Sequence, residues 1–343
     1  MQVGVCYGPG DIRIEDKPLY VVQKNEVLVR VAYCGVCPSD VRVYAGLSTS
    51  STFPCILGHE CAGIVEAVGK EVTSVSVGNR VVVDPTRRCG RCDNCRRGYE
   101  NACENADYSR GSFAEYTVAW ESNVYKISED TPLENAAFAE PLASVLHGFK
   151  KANIQQGDSV LIIGAGPIGL MHLQLAKLAG AQCFVSEALN ARRKTALTFG
   201  ADAVLDPKNL NIDHPLVPKR GFEEVIVAVG KVGAVQQAAK LVAHGGRLVL
   251  FAGFYPPEPM MLDPNHLHYK EIDIIGSYDC ARWDFEQSIR LIESGKVNVT
   301  DLVSNRFPLY KLSKAMEAVM NMSGLKVMIM VQDIAQEEHK ESI

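Results

Sequence analysis

The sequence predicts an α/β protein with two parts, one rich in β-strands and one built around a doubly wound parallel sheet. Its 343 residues suffice for two domains of roughly 150 residues each. Short β-branched runs, punctuated by glycine and proline, fill residues 1–130. From Ser159 onward strands alternate with helices, which is the pattern of a parallel sheet covered on both faces.

Apolar periodicity predicts the individual elements. The first part is predicted to have strands at Glu26–Ala32, Gly63–Val68 and Arg80–Val83. The second part and the region that follows it are predicted to contain the strands Ser159–Ile163, Gln182–Ser186, Glu224–Ala228, Arg247–Phe251, Ile272–Gly276 and Lys326–Val331, and the helices Ile168–Ala179, Asn190–Phe199, Val232–Val242, Phe285–Ser294 and Leu312–Met322.

Composition and charge exclude several classes of protein. The 35 basic and 40 acidic residues leave a net charge of −5, which argues against a nucleic-acid partner because phosphate binding needs a basic surface. The first residues lack the basic and apolar regions of a signal peptide, and the best apolar run, Val160–Leu170, is too short to span a membrane. We therefore expect a cytoplasmic protein with neither a nucleic-acid nor a membrane partner.

The 11 cysteines are an odd number, which argues against a secreted disulfide framework. One group of them has spacings typical of metal ligands. The scattered ones are expected to be buried filler of the core, as free cysteines commonly are; they are Cys6, Cys34, Cys55, Cys61, Cys183 and Cys280.

A compact cysteine segment predicts a structural zinc site at Cys89, Cys92, Cys95 and Cys103. Four thiolates form the closed tetrahedron that zinc prefers in structural sites, and they leave no position for a substrate. A nucleic-acid zinc ribbon and a metal-free group of reduced thiols are the competing interpretations. Nearby arginines are expected to offset the net −2 charge of such a centre; they are Arg87, Arg88, Arg91, Arg96 and Arg97.

A glycine-rich turn, GAGPIG at residues 164–169, follows a predicted buried strand and opens a predicted helix. Such a turn lets the backbone approach a pyrophosphate, and the helix N-terminus offers free N–H groups to it. Glu187, at the end of the next predicted strand, is placed to accept hydrogen bonds from ribose hydroxyls and to repel a 2′-phosphate. The pattern favours NAD, while Arg192 and Arg193 leave NADP open. The competing interpretation is a glycine turn that binds no nucleotide.

A second metal site is predicted from residues that are distant in sequence. Cys37, His59, Glu60 and Glu140 together offer a thiolate, an imidazole and one or two carboxylates. Such a set can form a three-ligand zinc site with an open position. An open zinc acts as a Lewis acid on a substrate oxygen.

Two neighbours of Cys37 suit the same chemistry. Ser39 offers a hydroxyl that can carry a substrate proton away. Asp40 is placed to accept a hydrogen bond from a ligand imidazole.

These motifs together resemble the zinc-dependent medium-chain alcohol dehydrogenases. The segments CGVCPSD, GHECAGIVEAVG, GNRVVV, GSFAEY, AEPLA and GAGPIG occur with the four-cysteine segment in family order, over residues 25–280. Glu140 stands where simple alcohol dehydrogenases have a cysteine, which resembles the sorbitol/polyol and threonine dehydrogenase branch.

The resemblance implies a GroES-like domain formed by residues 1–150 and 283–343, and a Rossmann domain formed by residues 151–282. It implies catalytic-zinc ligation by Cys37 and His59 with either Glu60 or Glu140, in addition to the structural zinc. It also implies that Ser39 contacts the substrate hydroxyl, and that the protein is a homotetramer or homodimer. The cofactor-binding residues it implies are Gly164, Gly166, Pro167, Ile168, Gly169, Glu187 and Arg192.

The function predicted on this basis is reversible oxidation of a secondary alcohol with NAD. A polyol, sugar alcohol or sugar acid, phosphorylated or not, is the expected substrate, and threonine is the alternative. A silent cofactor-binding sensor on the same fold is the more distant alternative. One residue departs from many relatives: Arg42 replaces a proton-relay histidine, and an arginine is too basic to shuttle a proton at neutral pH.

Overall fold

The computed structural model describes residues 1–48 and 52–332. Contacts divide the chain into two compact units: unit 1 combines Met1–Pro141 with the segment from Ala281 onward, and unit 2 is Leu142–Cys280. One long helix straddles the first boundary. The division into domains 1–150 with 283–343 and 151–282 stays a prediction about independently folding parts, and its end lies outside the described residues.

Strands predominate in the first part of the chain, and from β11 onward strands alternate with helices. The strands are β1 (Gln2–Gly8), β2 (Asp11–Asp16), β3 (Glu26–Gly35), β4 (Cys55–Ile56), β5 (Glu60–Val68), β6 (Arg80–Val83), β7 (Thr86–Arg87), β8 (Asp107–Tyr108), β9 (Tyr116–Trp120), β10 (Val124–Lys126), β11 (Ser159–Ile163), β12 (Gln182–Ser186), β13 (Ala203–Leu205), β14 (Phe222–Val227), β15 (Val242–Leu250), β16 (Asp273–Gly276), β17 (Val303–Pro308) and β18 (Lys326–Met330). The helices are α1 (Pro38–Tyr44), α2 (Asp93–Arg96), α3 (Leu133–Ala136), α4 (Ala139–Ala152), α5 (Pro167–Leu178), α6 (Asn190–Thr198), α7 (Val232–Ala239), α8 (Pro264–Lys270), α9 (Arg282–Glu293) and α10 (Leu312–Met320).

Unit 2 is a doubly wound parallel sheet. Its six strands run in the order β13-β12-β11-β14-β15-β16, and every neighbouring pair is parallel. The order reverses between β11 and β14, so the crevice at the carboxyl end of β11 is the place where such sheets bind ligands. All five residues of β11 are buried, as expected for a central strand with helices on both faces. The predicted α/β class is confirmed.

Two predicted boundaries in unit 2 are wrong. The helix expected at Val232–Val242 ends at Ala239, and the strand expected from Arg247 begins at Val242. Gly245 adopts a left-handed φ of 68°, and the pairing with β14 shifts register in this region. The strand therefore contains an irregularity at Gly245, and the sequence around this glycine resembles that of a turn.

Unit 1 is built on a mixed seven-stranded sheet in the order β10-β6-β5-β3-β18-β17, with β9 pairing β3 as well. The same unit contains two smaller sheets, β2-β1-β4 and β7-β8. The C-terminal strand β18 pairs antiparallel with β3 and parallel with β17. The last described strand thus pairs with β3, the first strand of this sheet in sequence, and Val327, Met328 and Ile329 are buried in it.

Among the described residues, none of the helices combines the length and apolar character needed to cross a bilayer.

Candidate functional site

Three candidate metal ligands of unit 1 come together from two segments. Cys37 directly precedes α1, while His59 and Glu60 stand at the start of β5. One ligand atom from each, the Cys37 thiol sulfur, a His59 ring nitrogen and a Glu60 carboxylate oxygen, lie within 4.8 Å of one another. Strand pairing explains the approach, because Gly35 at the end of β3 lies opposite Glu60 in the antiparallel ladder.

The carboxylate of Asp40 joins these two segments. It accepts hydrogen bonds from the backbone N–H of Cys37 (3.0 Å) and from the backbone N–H of Gly58 (3.0 Å), and Asp40 is only 3% exposed. Gly58 has a left-handed φ of 88°, and a side chain there would collide with Phe113. Only glycine therefore fits the turn that presents His59.

His59 lies between Asp40 and Ser39. Its Nδ1 is 3.4 Å from Asp40 Oδ1, and its Nε2 is 3.5 Å from Ser39 Oγ. Burial lowers the pKa of His59, but Asp40 and Cys37 outweigh that effect and hold the pKa well above its ordinary value. The anionic surroundings that favour a proton on this ring also favour a metal cation beside it.

Glu60 has a partner that the sequence did not reveal. Its carboxylate forms an ion pair with the ammonium group of Lys326 on β18, and the two side chains are only 2% and 7% exposed. Burial opposes the charged form of Lys326, yet Glu60, Cys37 and Glu140 outweigh it and raise the pKa of Lys326. The one available signal was a lysine that begins the otherwise apolar strand KVMIM.

Glu140 lies in the first turn of α4 and is half-buried. Among the described residues, the ligand atoms of Cys37, His59 and Glu60 lie within 4.8 Å of one another, and Glu140 is not part of that group. Its charge nevertheless acts on Lys326. The structure therefore brings Glu60 to the candidate metal position and places Glu140 within electrostatic range of the same lysine.

The donor set of this group fits zinc. Thiolate, imidazole and carboxylate are the ligands of catalytic zinc sites, and three protein ligands leave one position open. Each residue of the group presents one donor atom toward the others, and Glu60 is 1% exposed. The arrangement can hold a cation and offer it to a substrate oxygen.

The four cysteines of the predicted structural site also come together. The Sγ atoms of Cys89, Cys92, Cys95 and Cys103 lie within 4.8 Å of one another. The Cys92 and Cys103 sulfurs are 3.9 Å apart, close to the spacing of about 3.8 Å that a tetrahedron with Zn–S bonds of about 2.3 Å requires.

Backbone N–H groups prepare this segment for anionic sulfur. Cys89 Sγ accepts from the N–H of Arg91 (3.5 Å) and of Cys92 (3.3 Å), and these bonds lower the pKa of Cys89 to about 6. Burial instead raises the pKa of Cys95 to about 12. The N–H bonds that stabilise a thiolate at Cys89 and the close grouping of the four sulfurs fit a structural zinc.

Two of the arginines near this segment have carboxylate partners. Arg88 forms a buried ion pair with Asp84 at 2.5 Å, and Arg87 pairs with Asp107 at 3.1 Å. The Arg87–Asp107 pair joins β7 to β8, and the Arg88–Asp84 pair links the residues that precede and follow β7. That the arginines offset the sulfur charge stays a prediction.

The glycine-rich turn of unit 2 leads from β11 into α5. Gly164 has a left-handed φ of 105°, and Gly166 caps the helix ahead of Pro167 and Ile168. A side chain at Gly169 would collide with the carbonyl oxygen of Gly164, so glycine is needed for close strand–helix packing. A side chain at Gly166 would meet only the Arg192 guanidinium within 4 Å, and that open space fits a pyrophosphate.

Glu187 lies directly after β12 and is held by the turn. Its carboxylate accepts from the N–H of Ala165 (2.8 Å) and from the N–H of Leu189 (2.8 Å), and the residue is 9% exposed. A carboxylate has about four lone-pair positions, so it can accept further hydrogen bonds from a ribose. Arg193 bonds to the Glu187 carbonyl oxygen and pairs with Asp206.

Two family models match the chain. The model described as "Alcohol dehydrogenase GroES-like domain" covers residues 23–129, and the model described as "Zinc-binding dehydrogenase" covers residues 167–294. The first spans the metal-ligand segments and the four cysteines, and the second begins inside the glycine-rich turn.

Curated relatives match over nearly the whole chain. A sorbitol dehydrogenase of Bombyx mori is 30% identical, over 96% of this chain and 98% of the relative. A D-arabitol-phosphate dehydrogenase of Enterococcus avium is 32% identical, over 89% and 90%. An L-galactonate-5-dehydrogenase of Escherichia coli K12 is 31% identical, over 92% and 94%.

Solved structures of other proteins have the same fold over nearly the whole chain. A protein of Sinorhizobium meliloti 1021 bound to NADP superimposes with a TM-score of 0.91 at 29% identity, over 96% of this chain and 99% of that one. An alcohol dehydrogenase of Escherichia coli CFT073 complexed with NADH superimposes with a TM-score of 0.90 at 27% identity, over 96% and 99%.

Separate replacement of one cysteine in each cluster should remove one metal ion at a time. We expect the purified protein to contain two zinc ions per chain, and Cys37→Ser and Cys92→Ser each to retain about one, because each loses a ligand from a different cluster. Cys92→Ser should also lower the melting temperature, since its metal holds a loop together. Elemental analysis and thermal unfolding measure both effects.

Cys183→Ser is the matched control, because Cys183 is a buried cysteine on β12 in the other unit. It should retain both zinc ions. Loss of both ions from either ligand variant, or of neither, would contradict two independent sites.

Proposed function

Because the chain belongs to the zinc-dependent medium-chain dehydrogenase family, we propose that it oxidises a secondary alcohol group of a polyol, sugar alcohol or sugar acid with NAD as acceptor. The family membership confirms the predicted fold, a GroES-like part and a Rossmann part, and makes the protein an oxidoreductase. The observation that carries the proposal is the group of Cys37, His59 and Glu60, with one donor atom from each within 4.8 Å of one another.

The names of the relatives support this substrate class. They act on sorbitol, on an arabitol phosphate and on galactonate, which share a chain of carbons bearing hydroxyl groups. Phosphorylated and carboxylated forms of such a chain therefore belong to the proposed class.

Cys37, His59 and either Glu60 or Glu140 would hold the catalytic zinc. The bound ion supplies a Lewis acid that lowers the pKa of a hydroxyl group, and the bound nicotinamide supplies the hydride acceptor. Cys89, Cys92, Cys95 and Cys103 would hold the structural zinc.

Ser39 and Asp40 would assist the metal ligands, Ser39 by proton transfer and Asp40 by orienting His59. The Ser39 hydroxyl, 3.5 Å from His59 Nε2, receives the proton of the substrate hydroxyl while its own proton passes to solvent water. Asp40 keeps the His59 ring oriented through Nδ1 at 3.4 Å. Arg42, in the last turn of α1, cannot act as the base of a proton relay, because an arginine is too basic to exchange a proton at neutral pH.

The turn of unit 2 would hold the coenzyme. Gly164, Gly166, Pro167, Ile168 and Gly169 receive the pyrophosphate, while Glu187 and Arg192 hold the adenosine ribose. Glu187 carries a negative charge at the ribose position, which favours NAD because a 2′-phosphate would be repelled.

We also propose a cytoplasmic homo-oligomer, a dimer or a tetramer. The outermost strand of the unit 2 sheet, β16, leaves one edge of its ladder unpaired within the sheet, and Ile274 on it is 36% exposed. An exposed apolar edge favours pairing with a second copy about a two-fold axis.

A substrate panel tests the proposed reaction. Zinc-loaded protein should reduce NAD with polyols, sugar acids or their phosphates, and Ser39→Ala should lower kcat roughly 10²- to 10⁴-fold by removing the proton acceptor. Ser294→Ala, at an exposed position after α9, is the control and should leave kcat unchanged. Turnover confined to threonine would overturn the substrate class, and silence with both metals bound would favour a sensor.

Coenzyme choice depends on Glu187. Glu187→Gln removes the charge but keeps an acceptor oxygen for the N–H of Ala165. We expect the ratio of kcat/KM for NAD to that for NADP to fall roughly ten- to hundred-fold, the size of one hydrogen bond to a charged group. The exposed Glu258 supplies the control Glu258→Gln. An unchanged ratio with a normal melting temperature would mean that Glu187 does not select the coenzyme.

The oligomer proposal predicts a solution mass of at least twice the chain mass of 37.4 kDa. Ile274→Lys should shift it toward one chain, because an edge lysine opposes strand pairing. Val77→Lys, at a 63% exposed site in unit 1, should leave the mass unchanged. Light scattering distinguishes these cases, and a monomeric parent protein would refute the proposal.

A further inference from the structure

Lys326 and Glu60 form a buried ion pair next to the candidate metal ligands. Besides contacting Glu60, the Lys326 ammonium donates a hydrogen bond to the carbonyl oxygen of Val36 at 3.2 Å. Val36 directly precedes the ligand Cys37 in sequence. The lysine thus contacts both segments that supply the ligand group.

The backbone is shaped to accommodate this pair. Gly35 on β3 lies opposite Glu60 on β5 and opposite Met328 on β18. A side chain at Gly35 would collide with the Glu60 carboxylate and come within 2.7 Å of Lys326 Cε. The glycine therefore leaves the space in which the lysine reaches the carboxylate.

The pair creates a competition for one carboxylate. Glu60 has an oxygen close enough to Cys37 and His59 to join a metal site, and it also faces a buried ammonium. A carboxylate engaged by an ammonium is a weaker ligand, because part of its charge is already compensated. Without the lysine, Glu60 would be an uncompensated buried charge, which is strongly unfavourable unless a cation approaches it.

We infer that Lys326 is a positioning residue that holds Glu60 back from permanent coordination of the catalytic metal. The inference rests on the proposed function for the metal site. It makes Glu60 a reversible ligand and leaves the open position to the substrate. Lys326 itself touches neither metal nor substrate in this account.

A purely structural role of the pair predicts something different. If Lys326 only joins β18 to the rest of the sheet, its loss destabilises the metal-free and metal-bound proteins equally. If it restrains Glu60, its loss turns Glu60 into a strong ligand. Metal would then stabilise the variant more than the parent and leave it more slowly.

Cobalt substitution distinguishes the restraint of Glu60 by Lys326 from a purely structural role of the ion pair. Lys326→Met, Glu60→Gln and the double variant are compared with the parent as Co²⁺ proteins. The spectrum of Cys37→Ser is subtracted so that only the Cys37 site contributes, because cobalt absorption reports coordination geometry. Cobalt release to a chelator and the metal-induced rise in Tm are measured on the same samples.

We expect Lys326→Met to release cobalt from this site roughly ten- to hundred-fold more slowly, the range for residues that support metal ligands. Its spectrum should change, its metal-induced rise in Tm should exceed that of the parent, and the double variant should lose all three effects. Glu60→Gln alone should release cobalt at a rate within a few-fold of the parent rate.

An unchanged spectrum and release rate in Lys326→Met would overturn the inference and leave the proposed function intact. Cobalt release from Glu60→Gln more than a hundred-fold faster than from the parent would also overturn it, because Glu60 would then be a permanent ligand. This second test does not require Lys326→Met to fold. A parent protein without any Cys37-dependent cobalt spectrum would overturn the proposed metal site as well.

Discussion

The carboxylate of Asp40 is the interaction on which the candidate metal centre depends. It is buried and accepts from the N–H groups of Cys37 and Gly58, which belong to different segments. Hydrogen bonds to a charged group stabilise by about 1.5–3 kcal/mol each, and a buried carboxylate without them would be costly. Asp40 therefore binds the Cys37 segment to the turn that presents His59, and it faces the His59 ring as well.

Sheet pairing supplies the rest of the geometry. The central strand β3 pairs with β5 and with β18, so residues far apart in sequence, Glu60 and Met328, lie opposite Gly35. The C-terminal strand is consequently part of the site as well as part of the core, since it carries Lys326 to Glu60. Fold and charge balance are coupled here: the strand that closes the sheet also brings the cation that the buried carboxylate needs.

Local sequence predicts the parts of this protein that depend on local geometry. The spacing of Cys89 to Cys103 and the turn from Gly164 to Gly169 are short-range patterns, and the structure assembles each as expected. The grouping of Cys37 with His59 rested on their ligand chemistry and then on resemblance to a family, because strand pairing over long separations leaves no periodic signal. The Lys326–Glu60 pair went unpredicted for the same reason.

Anomalous diffraction at the zinc absorption edge tests the central claim most directly, because it locates the metal without reliance on turnover. Crystals of the zinc-loaded protein should show two peaks per chain, one among the four cysteines and one between Cys37 and His59. The second peak should lie nearer to Cys37 and His59 than to Lys326. A peak at the four cysteines alone, with Cys37 and His59 of a zinc-saturated protein free of metal, would contradict the account.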